Sequence, residues 1–143
     1  MRYLLLVSHG TMAPGLHSVI RMLLGDREDV LSYSMEDGVS ADAFVAGLEN
    51  VIAPITPEDS VLVLGDIIGG SPLTNTLNTL TQKGLLARTI AIGGMSLPMA
   101  ISALMAIDDG MDDASLVASA ISEAREGARQ VELALGDEDE EDL

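Results

Sequence analysis

Leu4-Leu5-Leu6-Val7-Ser8-His9-Gly10 and Val61-Leu62-Val63-Leu64-Gly65-Asp66 are two short apolar runs, each closing on a glycine and a side chain able to do chemistry. A continuous apolar stretch of this length, rather than an alternating one, is what a strand buried on both faces requires. If the two runs are neighbouring parallel strands, the imidazole of His9 and the carboxylate of Asp66 meet at the carboxyl edge of one sheet. The second run leads into Gly69-Gly70-Ser71-Pro72, and a helix is expected to begin shortly after each strand. Helix N-termini present free N–H groups and the positive end of the dipole, so the edge favours an anion. Together these features point to chemistry on a phosphoryl group, with His9 carrying it.

Outward from the two runs, strand and helix signals alternate. Tyr3–Ser8 reads as the first strand. Leu16, Val19, Ile20, Leu23 and Leu24 follow at helical spacing, closed by Gly25. Val30–Tyr33 reads as a second strand, and Ser40 and Asp42 offer caps to a helix carrying Phe44, Val45, Leu48, Val51 and Ile52. Ser60–Asp66 is the third strand and Ser71–Lys83 the third helix, with Ser71 expected as N-cap and Pro72 at the first helical position. Arg88–Ile92 is the fourth strand, Pro98–Ile107 the fourth helix, and a longer helix starts near Asp112-Asp113 and runs past Ala124.

This order predicts an α/β fold, a doubly wound and mostly parallel sheet covered by helices on both faces. With the common strand order 2-1-3-4, the reversal where such sheets bind ligands lies between strands one and three. Those strands carry His9 and Asp66. Gly127–Leu135 reads either as an edge strand, with Val131, Leu133 and Leu135 alternating, or as an extension of the last helix.

Composition sets the bounds. The 143 residues are 48% hydrophobic and only 2% aromatic, enough for one domain whose core is built from Leu, Ile, Val, Ala and Met. The domain is expected over 1–135, with an acidic disordered tail over 136–143. No cysteine is present, which excludes disulfides and thiolate metal sites. The apolar stretch Tyr3–Val7 is too short for a signal-peptide core or a membrane span, so a cytoplasmic protein is expected. A formal net charge of −16 disfavours nucleic acid and anionic lipid as partners and favours basic ones.

A neutral imidazole nitrogen is nucleophilic near neutral pH, provided the other nitrogen is held by an acceptor that fixes the tautomer. Asp66 is the candidate for that role, and it would also stabilise charge developing on the ring. Phosphoryl transfer needs mainly positioning and electrostatic stabilisation. Gly69-Gly70 allows close backbone approach, and Ser71 supplies a hydroxyl. His17, on the first helix, reads as a surface or lining residue. Two histidines without a carboxylate cluster give no metal site, and Met95, Met99 and Met105 read as core filler. No cofactor is expected.

In Val7-Ser8-His9-Gly10, Met22-Leu23-Leu24-Gly25, Asp66 with Gly69-Gly70-Ser71-Pro72 and Asn75, and Gly94-Met95-Ser96-Leu97-Pro98-Met99, the chain resembles the enzyme IIA component of the mannose family of the sugar phosphotransferase system. The resemblance runs from Tyr3 to about Leu135. It implies that His9 accepts a phosphoryl group from the phosphocarrier HPr and passes it to a IIB protein, a phosphotransferase reaction between protein histidines. Asp66 would orient His9, while Ser71 and backbone around Gly10, Gly69 and Gly70 would contact the phosphate. It further implies a homodimer that exchanges a C-terminal antiparallel strand, which Gly127–Leu135 would supply. Sugar transport would run through separate membrane IIC and IID proteins, so sugar specificity lies outside this chain.

The sequence departs from the family pattern at two places. Ile67-Ile68 stand where an aromatic or other bulky residue is usual, and Met95-Ser96 replace a Val-Asn pair after the fourth strand. Ser96 can cap a helix as Asn does. Three other functions compete. The phosphoryl-donor subunit of dihydroxyacetone kinase shares the fold but generally lacks the Gly-Gly-Ser-Pro block. A histidine phosphatase also uses a strand-end His-Gly but needs arginines around the phosphate, whereas Ser8 precedes His9 here. A regulatory module of the same fold would keep the residues without turnover.

Overall fold

Strand β1 (Arg2–His9) is the centre of the sheet, because its apolar run has helices to cover it on both sides. The computed structural model describes residues 1–134 of the 143, and the acidic run Asp137–Asp142 lies outside them. After β1 come α1 (Met12–Leu24), β2 (Val30–Met35), α2 (Ala41–Ile52), β3 (Ser60–Gly65), α3 (Ser71–Gln82), a 3₁₀ turn over Leu86–Arg88, β4 (Thr89–Ile92), α4 (Leu97–Asp108) and α5 (Asp113–Glu126). The sheet has the order β2-β1-β3-β4, and every pairing is parallel. This is the doubly wound α/β architecture expected from the sequence.

Alternate residues of the central strands feed two separate cores. Leu4, Leu6, Leu62 and Leu64 pack with Ile20 of α1, Ala100, Ala103 and Leu104 of α4, and Leu116 and Ala120 of α5. Tyr3, Leu5, Val7, Val61 and Val63 face the other way, onto Phe44 and Leu48 of α2 and Leu73 and Leu80 of α3. The period of two along each strand makes this division. Tyr33 and Phe44 supply the aromatic contact, with ring centroids 5.0 Å apart.

Several local details set the carboxyl edge. Val7 pairs with Gly65 across the β1–β3 ladder, so Ser8, His9 and Asp66 project from the ends of adjacent strands. A methyl group at Gly65 would stand 2.9 Å from Leu73, so the bare glycine lets α3 settle directly on the end of β3. The Met95 N–H donates to the Gly65 carbonyl at 2.9 Å, which fastens the turn after β4 to the same edge.

The caps follow the expectation at Ser40 and Ser96, whose hydroxyls accept from Ala43 and Met99 N–H. They differ at α3. There Gly70 is the N-cap, Ser71 is the first helical residue and no side chain caps the end. Met95 and Met99 are buried as expected, but Met105 is 59% exposed. With Leu97 and Ile101 it forms an outer apolar stripe on α4, lining a groove of about 480 Å³ against α5. Residues 128–134 neither extend α5 nor join the sheet of this chain.

Candidate functional site

Residues of the β1–α1 and β3–α3 connections converge where the strand order reverses. Ser8 is fully buried, and its hydroxyl accepts a hydrogen bond from the Ala13 N–H at 2.7 Å. It thereby satisfies one of the unpaired amides in the first turn of α1, which Thr11 at the N-cap does not. The Gly10 N–H donates to the Met35 carbonyl at 2.9 Å, tying the loop to the end of β2. Between these two anchors His9 has little backbone freedom.

Asp66 holds the imidazole. Its Oδ2 accepts from the His9 backbone N–H at 2.9 Å and lies 2.8 Å from His9 Nδ1. Its Oδ1 accepts from the Ile67 N–H at 2.9 Å. Burial works to raise the pKa of Asp66. The two His9 hydrogen bonds, the charge of the ring and the Ile67 N–H outweigh it, and the carboxyl is held below its ordinary value. In the neutral form of the ring, an ionised Asp66 beside Nδ1 favours the tautomer with the hydrogen on Nδ1 and the lone pair on Nε2. The Asp66 side chain is 14% exposed and that of His9 52%, so the carboxylate is sheltered while the ring is open to a partner.

The remaining candidates surround this pair. Gly69 turns the β3–α3 loop with a φ of +83°, in the left-handed region that glycine adopts without strain. Gly70 lies directly against the His9 ring. Ser71 is exposed at the start of α3, and Pro72 beside it has no N–H. The amides of Ser71 and Leu73 therefore have no acceptor within the helix, and they form the anion-favouring terminus. The Gly10 and Gly70 amides, by contrast, are engaged by the carbonyls of Met35 and Ile67, at 2.9 and 3.4 Å. Ile67 and Ile68 are exposed, and the Ile68 side chain lies over Gly93, where a methyl group would come within 2.2 Å of it. They form the bulky apolar wall expected of that pair.

Other sequence candidates lie elsewhere. His17 Nδ1 is 2.7 Å from the Ser32 hydroxyl on β2, half-buried. Burial first, and then Arg21, lower its pKa against the opposing charge of Asp26. Arg2, Arg27 and Arg88 precede or open strands at the amino edge, opposite His9. They are engaged there by Met111 and Asp113, by Asp29 and Asp108, and by the Glu58 carbonyl. Among the described residues, no group of three or more His, Asp or Glu could hold a metal ion. The same residues contain no helix long and apolar enough to cross a membrane. In the sequence the role of Ser8 is signalled only by a hydroxyl that closes a fully apolar run.

Residues 3–124 match the sequence model of the family described as the PTS system fructose IIA component. The chain belongs to the mannose-type IIA family of the phosphotransferase system. Among its relatives is the mannose-specific EIIAB component of Escherichia coli K12, 31% identical over 122 residues, which cover 85% of this chain and 37% of that protein. The chain thus spans little more than a third of the length of the curated relatives it matches. Its fold is shared by the phosphotransferase system component EIIA of Streptococcus agalactiae, with a TM-score of 0.76 and 22% identity over 91% of this chain and 97% of that one. The mannose/sorbose-specific IIA subunit of Enterococcus faecalis superposes with the same TM-score of 0.76 and 22% identity, covering 93% of this chain and 96% of that one.

Proposed function

We propose that this chain is a phosphoryl carrier that takes its phosphoryl group from phospho-HPr onto His9 and delivers it to a IIB component. The observation that carries the reading is the 2.8 Å contact between His9 Nδ1 and Asp66, which leaves Nε2 as the free nitrogen of a half-exposed ring. In the transfer, the Nε2 lone pair forms the new N–P bond as the N–P bond of the donor phosphohistidine breaks. The donor imidazole leaves with the electron pair of that bond. The hydrogen stays on Nδ1, and the positive charge that the ring acquires is offset by Asp66. Passing the group to IIB reverses these events. The negative equatorial oxygens would lie against the start of α3, with the Ser71 hydroxyl and the backbone around Gly69 and Gly70 as their partners. Gly10 would approach from the β1 side.

No metal or cofactor enters this scheme. The arginines held at the amino edge weigh against a phosphatase, which needs them around the phosphate. The same reading places the transfer unit in residues 1–135, in the cytoplasm, with the membrane IIC and IID proteins reached only through IIB. It also makes the chain a homodimer. Val131 and Leu133 are exposed apolar residues on a segment outside the sheet, while β4 is an edge strand, so exchange of this segment between two copies would cover both.

The test is a chase. The chain is labelled through phosphoenolpyruvate, enzyme I and HPr, separated from them, and mixed with unphosphorylated IIB. Label should pass to IIB, and back to HPr when HPr is supplied. Label that enters the chain but moves to neither protein would identify a regulatory module instead of a carrier.

A further inference from the structure

The two glycines before α3 are there for different reasons. Gly69 has a φ of +83° and open space around the position a side chain would occupy. Its requirement is conformational. Gly70 has φ −76° and ψ 154°, extended backbone that any residue adopts. It occupies the N-cap of α3, where Ser, Thr, Asn or Asp would add a capping hydrogen bond, yet no side chain caps this helix. Neither backbone conformation nor helix initiation therefore calls for glycine at this position.

Space does. A Cβ on Gly70 would stand 2.9 Å from His9 Cε1 and 2.8 Å from Ile67 Cγ2, closer than Cβ atoms approach other heavy atoms. We propose that Gly70 is a positioning residue for His9: its bare α-carbon is the seat on which the imidazole rests while Nδ1 engages Asp66. Cε1 lies between the two ring nitrogens, so a methyl group pressing on it moves Nδ1 off the carboxylate and re-aims Nε2 in the same motion. The ring can yield because it is half-exposed. Ile67 is exposed as well, but the atom met there is Cγ2, bonded directly to a β-branched Cβ that is stiff about χ1, so it has less room to turn aside than the ring. This role is separate from any contact between Gly70 and the phosphate, and its catalytic consequence rests on the carrier reading given above.

Two variants test it, Gly70→Ala and Gly70→Ser. Both add the same Cβ, but Ser also supplies the missing helix cap, so a purely structural role predicts that Gly70→Ser is unimpaired. The positioning role predicts that both variants lose the wild-type ¹⁵N signature of a hydrogen-bonded Nδ1 on His9. Phosphoryl loading from phospho-HPr should slow by about tenfold or more in both, while Gly70→Ser melts at or above the wild-type temperature. Wild-type ring shifts in either variant would overturn the proposal, as would failure of both to fold. The ring shifts need no phosphoryl donor. A wild type that never loads, with rings displaced in both variants, would sink the carrier reading and leave the seat intact.

Discussion

At the scale of single residues, the site is a division of labour between a sheltered acid and an exposed ring. Asp66 Oδ2 takes both the backbone N–H and the Nδ1 of His9, so one carboxylate fixes the position of the residue and the tautomer of its side chain. Asp66→Asn should keep the fold but slow phosphoryl loading by about a hundredfold or more, read by stopped transfer from phospho-HPr, because an amide favours the wrong tautomer and offers no charge. A rate within a few-fold of wild type would contradict this role. The pH dependence has a definite sign. Since the folded pKa of Asp66 is depressed, the stabilisation it provides is present above the ordinary carboxylate value of about 3.9 and is lost as pH falls through the lower folded value. The amide resonances of His9 and Ile67 should therefore titrate in acid with a midpoint below about 3.9; a midpoint at or above it would contradict the geometry. His9 and Asp66 were legible in the sequence because each ends an apolar run that is too short for a helix and is bounded by glycine, as a buried strand is. The roles of Ser8 and Gly70 were not, since each depends on where a neighbouring chain segment lies.

At the scale of elements, the site is a set of strand–helix junctions fastened by short polar contacts. Ser8→Ala leaves the Ala13 N–H without its acceptor at a fully buried position, which should cost about 1–3 kcal/mol in urea unfolding. Gly65→Ala drives a methyl group into Leu73 and should cost about 1–3 kcal/mol as α3 backs away from β3. Unchanged unfolding midpoints would show that these junctions are looser than described. The order of strands and helices up to α5 was legible because continuous apolar runs mark strands buried on both faces and a 3.6-residue apolar period marks the helices. The start of α3 moved by one residue because Ser suits both the N-cap and the first turn, and Pro suits either of the first two helical positions. The exposure of Met105 was hidden for another reason. Helix α4 is apolar nearly all round, so its pattern does not say which stripe faces the core.

At the scale of the whole molecule, the charge of −16 and the surfaces left uncovered govern association. Raising the ionic strength from about 0.05 M to about 0.5 M shortens the Debye length about threefold and should slow transfer from HPr through a lower association rate. A salt-independent rate would exclude steering by charge. The proposed strand exchange would bury the exposed Val131 and Leu133 against a second copy of the chain. Sedimentation should find the wild type dimeric and Leu133→Asp shifted towards monomer, whereas a monomeric wild type would contradict strand exchange.

The central claim is that one phosphoryl group is carried on His9. Intact-mass analysis of the wild type and His9→Ala, each incubated with phosphoenolpyruvate, enzyme I and HPr, tests it most directly. The account predicts one acid-labile phosphoryl group on the wild type and none on a folded His9→Ala. An unmodified wild type, or a variant that still takes up the group, would contradict it.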